Sequence, residues 1–197
     1  MGCSNPATIL ASLNTHGGRG ADGRPYDLEA ACRQLKADII VLQEVWRARG
    51  RWGLAMLTTA PVLGFDVTDL GRIPGDLVPR EAQLVTIGLP RRGSLRIVNT
   101  HLTYRLLSPV QLLRLVRRLA VDDLPTVIAR DLNMPLPVTG LAAGYAPAVS
   151  GRTYPAHRPL LQLDHILASR RVARCGGEVL PPVGSDHLPV RARLRLK

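Results

Sequence analysis

The chain has 197 residues, 46% of them hydrophobic and 21% charged. That balance excludes an intrinsically disordered chain and suffices for one domain with a substantial core. Twenty-six basic against 15 acidic residues leave a net charge of +11, which favours anionic partners such as phosphate esters or nucleic acid. The basic residues are scattered, and only Lys36 and Lys197 are lysine. Aromatic residues make up 4%, too few for the stacking platforms of a dedicated single-strand-binding module. No apolar run reaches the roughly 20 residues needed to cross a bilayer, and Met1 to Ala11 lacks the basic segment of a secretory signal. Cys3, Cys32 and Cys175 match no metal-binding spacing. A reduced, cytoplasmic, monomeric protein is the expectation.

The first strand is read at Thr8 to Leu13, ending on Asn14, with a glycine-rich loop after it. Asp27 can N-cap a helix to about Lys36, with Leu28, Ala31, Cys32 and Leu35 on one face. Asp38 to Leu42 is a continuous apolar run of the kind found in strands buried on both faces, and it delivers Gln43 and Glu44. Trp52 to Thr58, Phe65 to Asp69 and Ala82 to Leu89 read as strands. Arg91-Arg92-Gly93 predicts a hairpin turn into Leu95 to Thr100, which delivers His101. Ser108-Pro109-Val110-Gln111 predicts a helix start with a capping box. That helix runs to about Ala120, with Leu112, Leu113, Val116 and Leu119 inward. Thr126 to Ala129 delivers Asp131. Residues 134–160 are rich in proline and read as loop, and Leu161 to Leu167 and Val190 to Leu196 read as closing strands. Helical units between strands, mixed with hairpins, predict an α/β protein with mixed sheets covered by helices.

Polar residues recur just past the strand ends: Asn14, Glu44, His101, Asp131 with Asn133, Asp164, and Asp186-His187. Cutting a phosphoester takes a cation to neutralise charge, a base for water, and donors for the non-bridging oxygens. Hard cations prefer oxygen ligands, and Glu44 and Asp164 supply carboxylates while Asn14 supplies a neutral oxygen. Asp186-His187 offers a carboxylate–histidine dyad. Adjacent residues in a strand point to opposite sides, however, so His187 needs a turn or a partner from elsewhere, for which Asp164 is a candidate. His101 is a second candidate acid. Asp131 can orient water while Asn133 donates to phosphate, and the same pair would also form an Asx turn. Arg80 is a candidate phosphate clamp. His16, His157 and His165 read as loop or supporting histidines, and no serine or cysteine has the setting of a covalent nucleophile.

The stretches Leu13-Asn14-Thr15-His16-Gly17, Leu42-Gln43-Glu44-Val45, Asn99-Thr100-His101-Leu102, Asp131-Leu132-Asn133, Leu163-Asp164-His165-Ile166 and Gly184-Ser185-Asp186-His187-Leu188-Pro189-Val190 together resemble the endonuclease/exonuclease/phosphatase superfamily, the DNase I-like fold. The resemblance runs from about Thr8 to Leu196. It implies a single domain over residues 1–197, built as a four-layer α/β sandwich of two mixed sheets flanked by helices. It also implies Mg²⁺- or Mn²⁺-dependent hydrolysis of a phosphodiester or phosphomonoester, with a nuclease among the expected activities. On that resemblance Glu44, Asn14 and Asp186 would hold the metal, and His101, Asp131, Asn133, Asp164, Asp186 and His187 would be catalytic, His187 as general base. Arg80, Asn133 and His101 would contact substrate. A non-catalytic phosphate- or nucleic-acid-binding module that keeps the fold is the alternative. Two features depart from the family pattern. Arg130 stands where a glycine is usual, and the stretch from Val45 to Arg51 is too short for the usual helix.

Overall fold

The computed structural model describes residues 7–47, 51–74, 79–89, 93–103, 108–134 and 142–197, without the side chains of Arg47, Arg51 and Trp52. Two sheets face one another. The first has five strands: β1 (Thr8–Asn14), β2 (Ile39–Arg47), β3 (Arg51–Thr58), β10 (Val172–Val179) and β11 (Val190–Leu196), in the order β10-β11-β1-β2-β3. The second has six: β4 (Val62–Gly71), β5 (Arg80–Leu89), β6 (Gly93–His101), β7 (Thr126–Asp131), β8 (Tyr145–Pro147) and β9 (Asp164–Ser169), in the order β4-β5-β6-β7-β9-β8. Both are mixed. β1 and β2 are parallel, as are β6 and β7, and the remaining neighbours are antiparallel.

Each parallel pair is joined by a helix on the outer face, as a parallel connection requires. α1 (Leu28–Gln34) links β1 to β2, and α2 (Ser108–Leu119) links β6 to β7. The strands alternate, so one set of side chains fills the space between the sheets and the other packs under a helix. Leu10, Val41, Ile97, Val127, Ile166 and Val190 form the central core. Leu112, Leu115 and Leu119 of α2 pack on Val98, Ile128 and Leu132, and Ala11, Leu13, Ile40 and Leu42 meet Leu35 beneath α1. These layers are the expected four-layer sandwich.

Several local expectations are corrected. Asp27 does cap α1, its side chain accepting from Ala30 N–H. In α2, by contrast, Gln111 does not reach back to the helix start. Its buried amide accepts from Thr103 N–H and donates to the Gly71 carbonyl, which turns Leu115 inward and leaves Leu113 exposed. β2 continues past Glu44 to Arg47 and pairs directly with β3, with only residues 48–50 between them. This is the shortened region in structural form: strand follows strand where a helix is usual. β8 and β10 lack sequence signals because β8 has three residues and β10 carries Gly176-Gly177 and a bulge. Residues 91–92 of the expected hairpin turn lie outside the described residues. Cys175 is disulfide-bonded and Cys32 is free and half-buried, against the expectation of a fully reduced chain. No described helix is long and apolar enough to cross a membrane.

Candidate active site

The carboxyl ends of the two parallel pairs lie at the same end of the sandwich, where open α/β sheets place their ligands. In β1 and β2, Asn14 sits opposite Gln43; in β6 and β7, His101 sits opposite Asp131. A bulge between Leu42 and Val45 puts Glu44 at φ +52°, an unfavourable backbone state for a non-glycine residue. Thr15 secures the bulge, its Oγ1 donating to the carbonyls of Gln43 and Glu44. Beneath them a buried network of Ser12, Gln43 and Asn99 ties the two sheets together, with Gln43 Nε2 donating to Asn99 Oδ1 at 2.8 Å and Asn99 Nδ2 to the Leu42 and Ala55 carbonyls.

Asn14 is the hub. Its Nδ2 donates to Glu44 Oε1 at 3.2 Å and to Asp131 Oδ2 at 3.0 Å. His101 Nε2 lies 3.6 Å from Glu44 Oε1 and 3.7 Å from Asp131 Oδ2. Asn133, at φ +50°, receives Asp131 Oδ1 on its backbone N–H, the expected Asx turn. Its Nδ2 donates to the Leu102 carbonyl and, at 3.0 Å, to His101 Nε2. Burial pushes the pKa of His101 down, favouring the neutral ring.

His187 finds its carboxylate in Asp164, not Asp186. Its Nδ1–H donates to Asp164 Oδ2 at 2.8 Å, and its Nε2 lies 3.8 Å from Asp131 Oδ2. Burial by itself would lower the pKa of His187. The charge and hydrogen bond of Asp164, then the charges of Asp131 and Asp186, outweigh burial and lift it to about 10. Asp131 is shifted upward by burial and then by Asp164. Ser185 closes the turn, donating from Oγ to the Asn14 carbonyl at 2.7 Å and accepting His187 N–H.

Asn14, Glu44, His101, Asp131, Asn133, Asp164 and His187 are thus linked by contacts into one cluster. Asp186 stands at its rim, 3.8 Å from His16 Nδ1, with its charge felt at His187. Arg80, at the start of β5, is near enough for its charge to depress His101. His165 points to the other face of the sheet. It bonds the Met134 carbonyl, and burial holds it neutral with a pKa of about 4. His157 is exposed on a loop. Arg130 also points away from the cluster, so it does not crowd it. It is fully buried on the α2 side of β7, none of its three guanidinium nitrogens has a hydrogen-bond partner among the described residues, and burial lowers its pKa to about 9. Tyr154 packs its ring on His187 with centroids 4.7 Å apart; a tyrosine in a proline-rich loop carries no local sign of that contact.

The donor set fits a hard divalent cation. Carboxylates dominate it, and those of Glu44 and Asp131 converge on the Asn14 side chain, 3.2 and 3.0 Å from its Nδ2. Among the described residues, ligand atoms of Asp131, Asp164 and His187 lie within 4.8 Å of one another. Asn14 adjoins this group by its bond to Asp131, and Glu44 by its bond from Asn14.

A family model described as "Endonuclease/Exonuclease/phosphatase family" matches residues 11–187. A search of curated proteins finds no match. Solved structures share the fold at low identity. A mannosyl-6-phosphatase of Bacteroides thetaiotaomicron superposes with a TM-score of 0.81 at 15% identity, over 95% of this chain and 99% of that one. The human Nocturnin catalytic domain with bound sulfate gives 0.75 at 15% identity, over 98% and 96%. TDP2 of D. rerio with a single-strand DNA product gives 0.73 at 14% identity, over 97% and 100%.

Proposed function

The chain belongs to the endonuclease/exonuclease/phosphatase family, and from that premise we propose that it hydrolyses phosphoester bonds with the help of Mg²⁺ or Mn²⁺. The observation that carries this reading is the convergence of Asn14, Glu44, His101, Asp131, Asn133, Asp164 and His187 on one end of the sandwich. A phosphate-binding module without chemistry has no use for a histidine oriented by a buried carboxylate.

Glu44 and Asp131 would hold the cation, with Asn14 fixing both carboxylates through its Nδ2 and Asp186 completing the set from the rim. When bound, the cation neutralises phosphate charge and acidifies water. Asp164 fixes the His187 ring so that Nε2 faces Asp131. A cation beside the ring would oppose its protonation, and neutral His187 would take the proton of the attacking water at Nε2. Asp131 orients that water, Asn133 holds His101 in place, and Arg80 donates to the non-bridging oxygens. His101, held neutral by burial, contacts the phosphate as a hydrogen-bonding group. The relatives named above act on a phosphosugar in one case and bind DNA in another. The reading therefore extends to the phosphoester bond and, given the charge of +11, includes nucleic acid among candidate substrates.

The test is turnover of bis-p-nitrophenyl phosphate, p-nitrophenyl phosphate and plasmid DNA with Mg²⁺ or Mn²⁺, beside Glu44→Ala and His187→Ala. Activity abolished by EDTA and lost in both variants is expected. Equal turnover in wild type and variants sinks the mechanism, and folded protein without any turnover favours the binding module.

A further inference from the structure

Asp164 and His187 come from different segments, yet their 2.8 Å bond requires both to be held within about 0.5 Å. One buried residue bonds the backbone beside each of them. Thr153 Oγ1 accepts from Leu163 N–H at 3.1 Å and from Asp164 N–H at 3.2 Å. Its own N–H donates to the Leu161 carbonyl, and its carbonyl accepts from Leu188 N–H at 2.8 Å. The next residue, Tyr154, lays its ring on His187 at a 44° tilt, while its carbonyl accepts from Leu160 and Leu161 N–H. Two residues further on, Ala156 N–H donates to the Asp186 carbonyl at 2.7 Å. The stretch from Thr153 to Ala156 thus grips both the lead into β9 and the turn before β11.

We propose that Thr153 and Tyr154 are positioning residues for the Asp164–His187 pair. The proposal rests on the phosphoesterase reading. Thr153 fixes the carboxylate and the chain next to the imidazole relative to one another, and Tyr154 blocks rotation of the ring away from Asp164. Neither takes or gives a proton in the reaction. Both act through the orientation of His187, as outer residues do around other oriented histidines.

Thr153→Val keeps the shape and removes the acceptor for two buried N–H groups. Its expected effect is a loss of about 10–100-fold in kcat with KM unchanged, reversed by Thr153→Ser, which restores the hydroxyl. Tyr154→Ala should lower kcat likewise, and Tyr154→Phe, which keeps the ring, should not. NMR of the His187 ring reads the same claim without turnover: the Nδ1–H resonance should shift and exchange faster in Thr153→Val and Tyr154→Ala. Wild-type kcat and an unmoved resonance in both overturn the proposal, as does a Thr153→Ser variant as impaired as Thr153→Val. If Thr153→Val does not fold, the Tyr154 pair decides alone. If the wild type hydrolyses no phosphoester, the phosphoesterase reading fails while the ring resonance still reports on positioning.

Discussion

His187 Nδ1 lies 2.8 Å from Oδ2 of Asp164, a residue 23 positions away, while the adjacent Asp186 faces His16. The two carboxylates therefore have separable roles. Asp164→Asn keeps the shape but removes the charge that sets the tautomer of His187. A loss of about 10²–10⁴ in kcat is expected, the range typical of acid–base catalysis. Asp186→Asn should act mainly through cation affinity. Steady-state kinetics at several Mn²⁺ concentrations separate the two: added Mn²⁺ should rescue Asp186→Asn and leave Asp164→Asn impaired.

The raised pKa of His187 makes stability depend on pH. Its folded value of about 10 exceeds the unfolded value of about 6.5. The folded state therefore binds the proton more tightly, and its stabilising contribution is fully present below pH 6.5. It is lost as pH rises toward 10. In EDTA, Tm should fall between pH 7 and pH 10, and His187→Gln should flatten that limb. Saturating Mg²⁺ or Mn²⁺ should flatten it too, because a nearby cation opposes protonation of the ring. An alkaline limb identical in wild type and His187→Gln would show that other groups govern it.

Much of this arrangement was legible before the coordinates. Asn14, Glu44, His101 and Asp131 were recognisable because each follows an apolar run, and the period of two in a strand says where the run stops. The choice of Asp164 as an alternative partner for His187 came from the same rule, since neighbours in a strand cannot share a face. Bulges and register were not legible. Glu44 reaches the cluster through a break in pairing between Leu42 and Val45, and no local pattern announces it. Thr153 and Tyr154 were passed over because their partners are reached through the fold, with the Tyr154 ring meeting a histidine 33 positions on. The inward face of α2 was misjudged because a buried Gln111 looks polar in sequence, while its bonds to Thr103 and Gly71 exist only after folding.

Arg130 offers a test on the opposite face of β7. A buried guanidinium without a hydrogen-bond partner among the described residues is costly, and an apolar side chain of similar length removes that cost. Arg130→Met should stabilise the protein by about 1–4 kcal/mol in denaturant titrations, as when other buried charges are replaced by packed apolar groups. Because the side chain points away from Asn14 and Asp131, kcat should hold. A destabilised Arg130→Met would mean that the charge is satisfied in solution by groups other than those described.

Gly184 carries the last prediction. It precedes Ser185-Asp186-His187 at φ +115°, a region that side chains avoid. A Cβ there would lie 2.5 Å from Cγ of the Tyr26 ring. That ring is itself fixed, its hydroxyl donating to the Thr15 carbonyl next to Asn14. Gly184→Ala must therefore shift either the turn or Tyr26. A cost of about 1–3 kcal/mol is expected from the backbone alone. The shift should also pull Ser185 Oγ from the Asn14 carbonyl, 2.7 Å away in the native fold, and so displace His187. Thermal melts and kcat measured on the same preparation check this. Lower Tm with a parallel loss of kcat is expected, whereas a lowered Tm with unchanged kcat would separate the turn from the catalytic geometry.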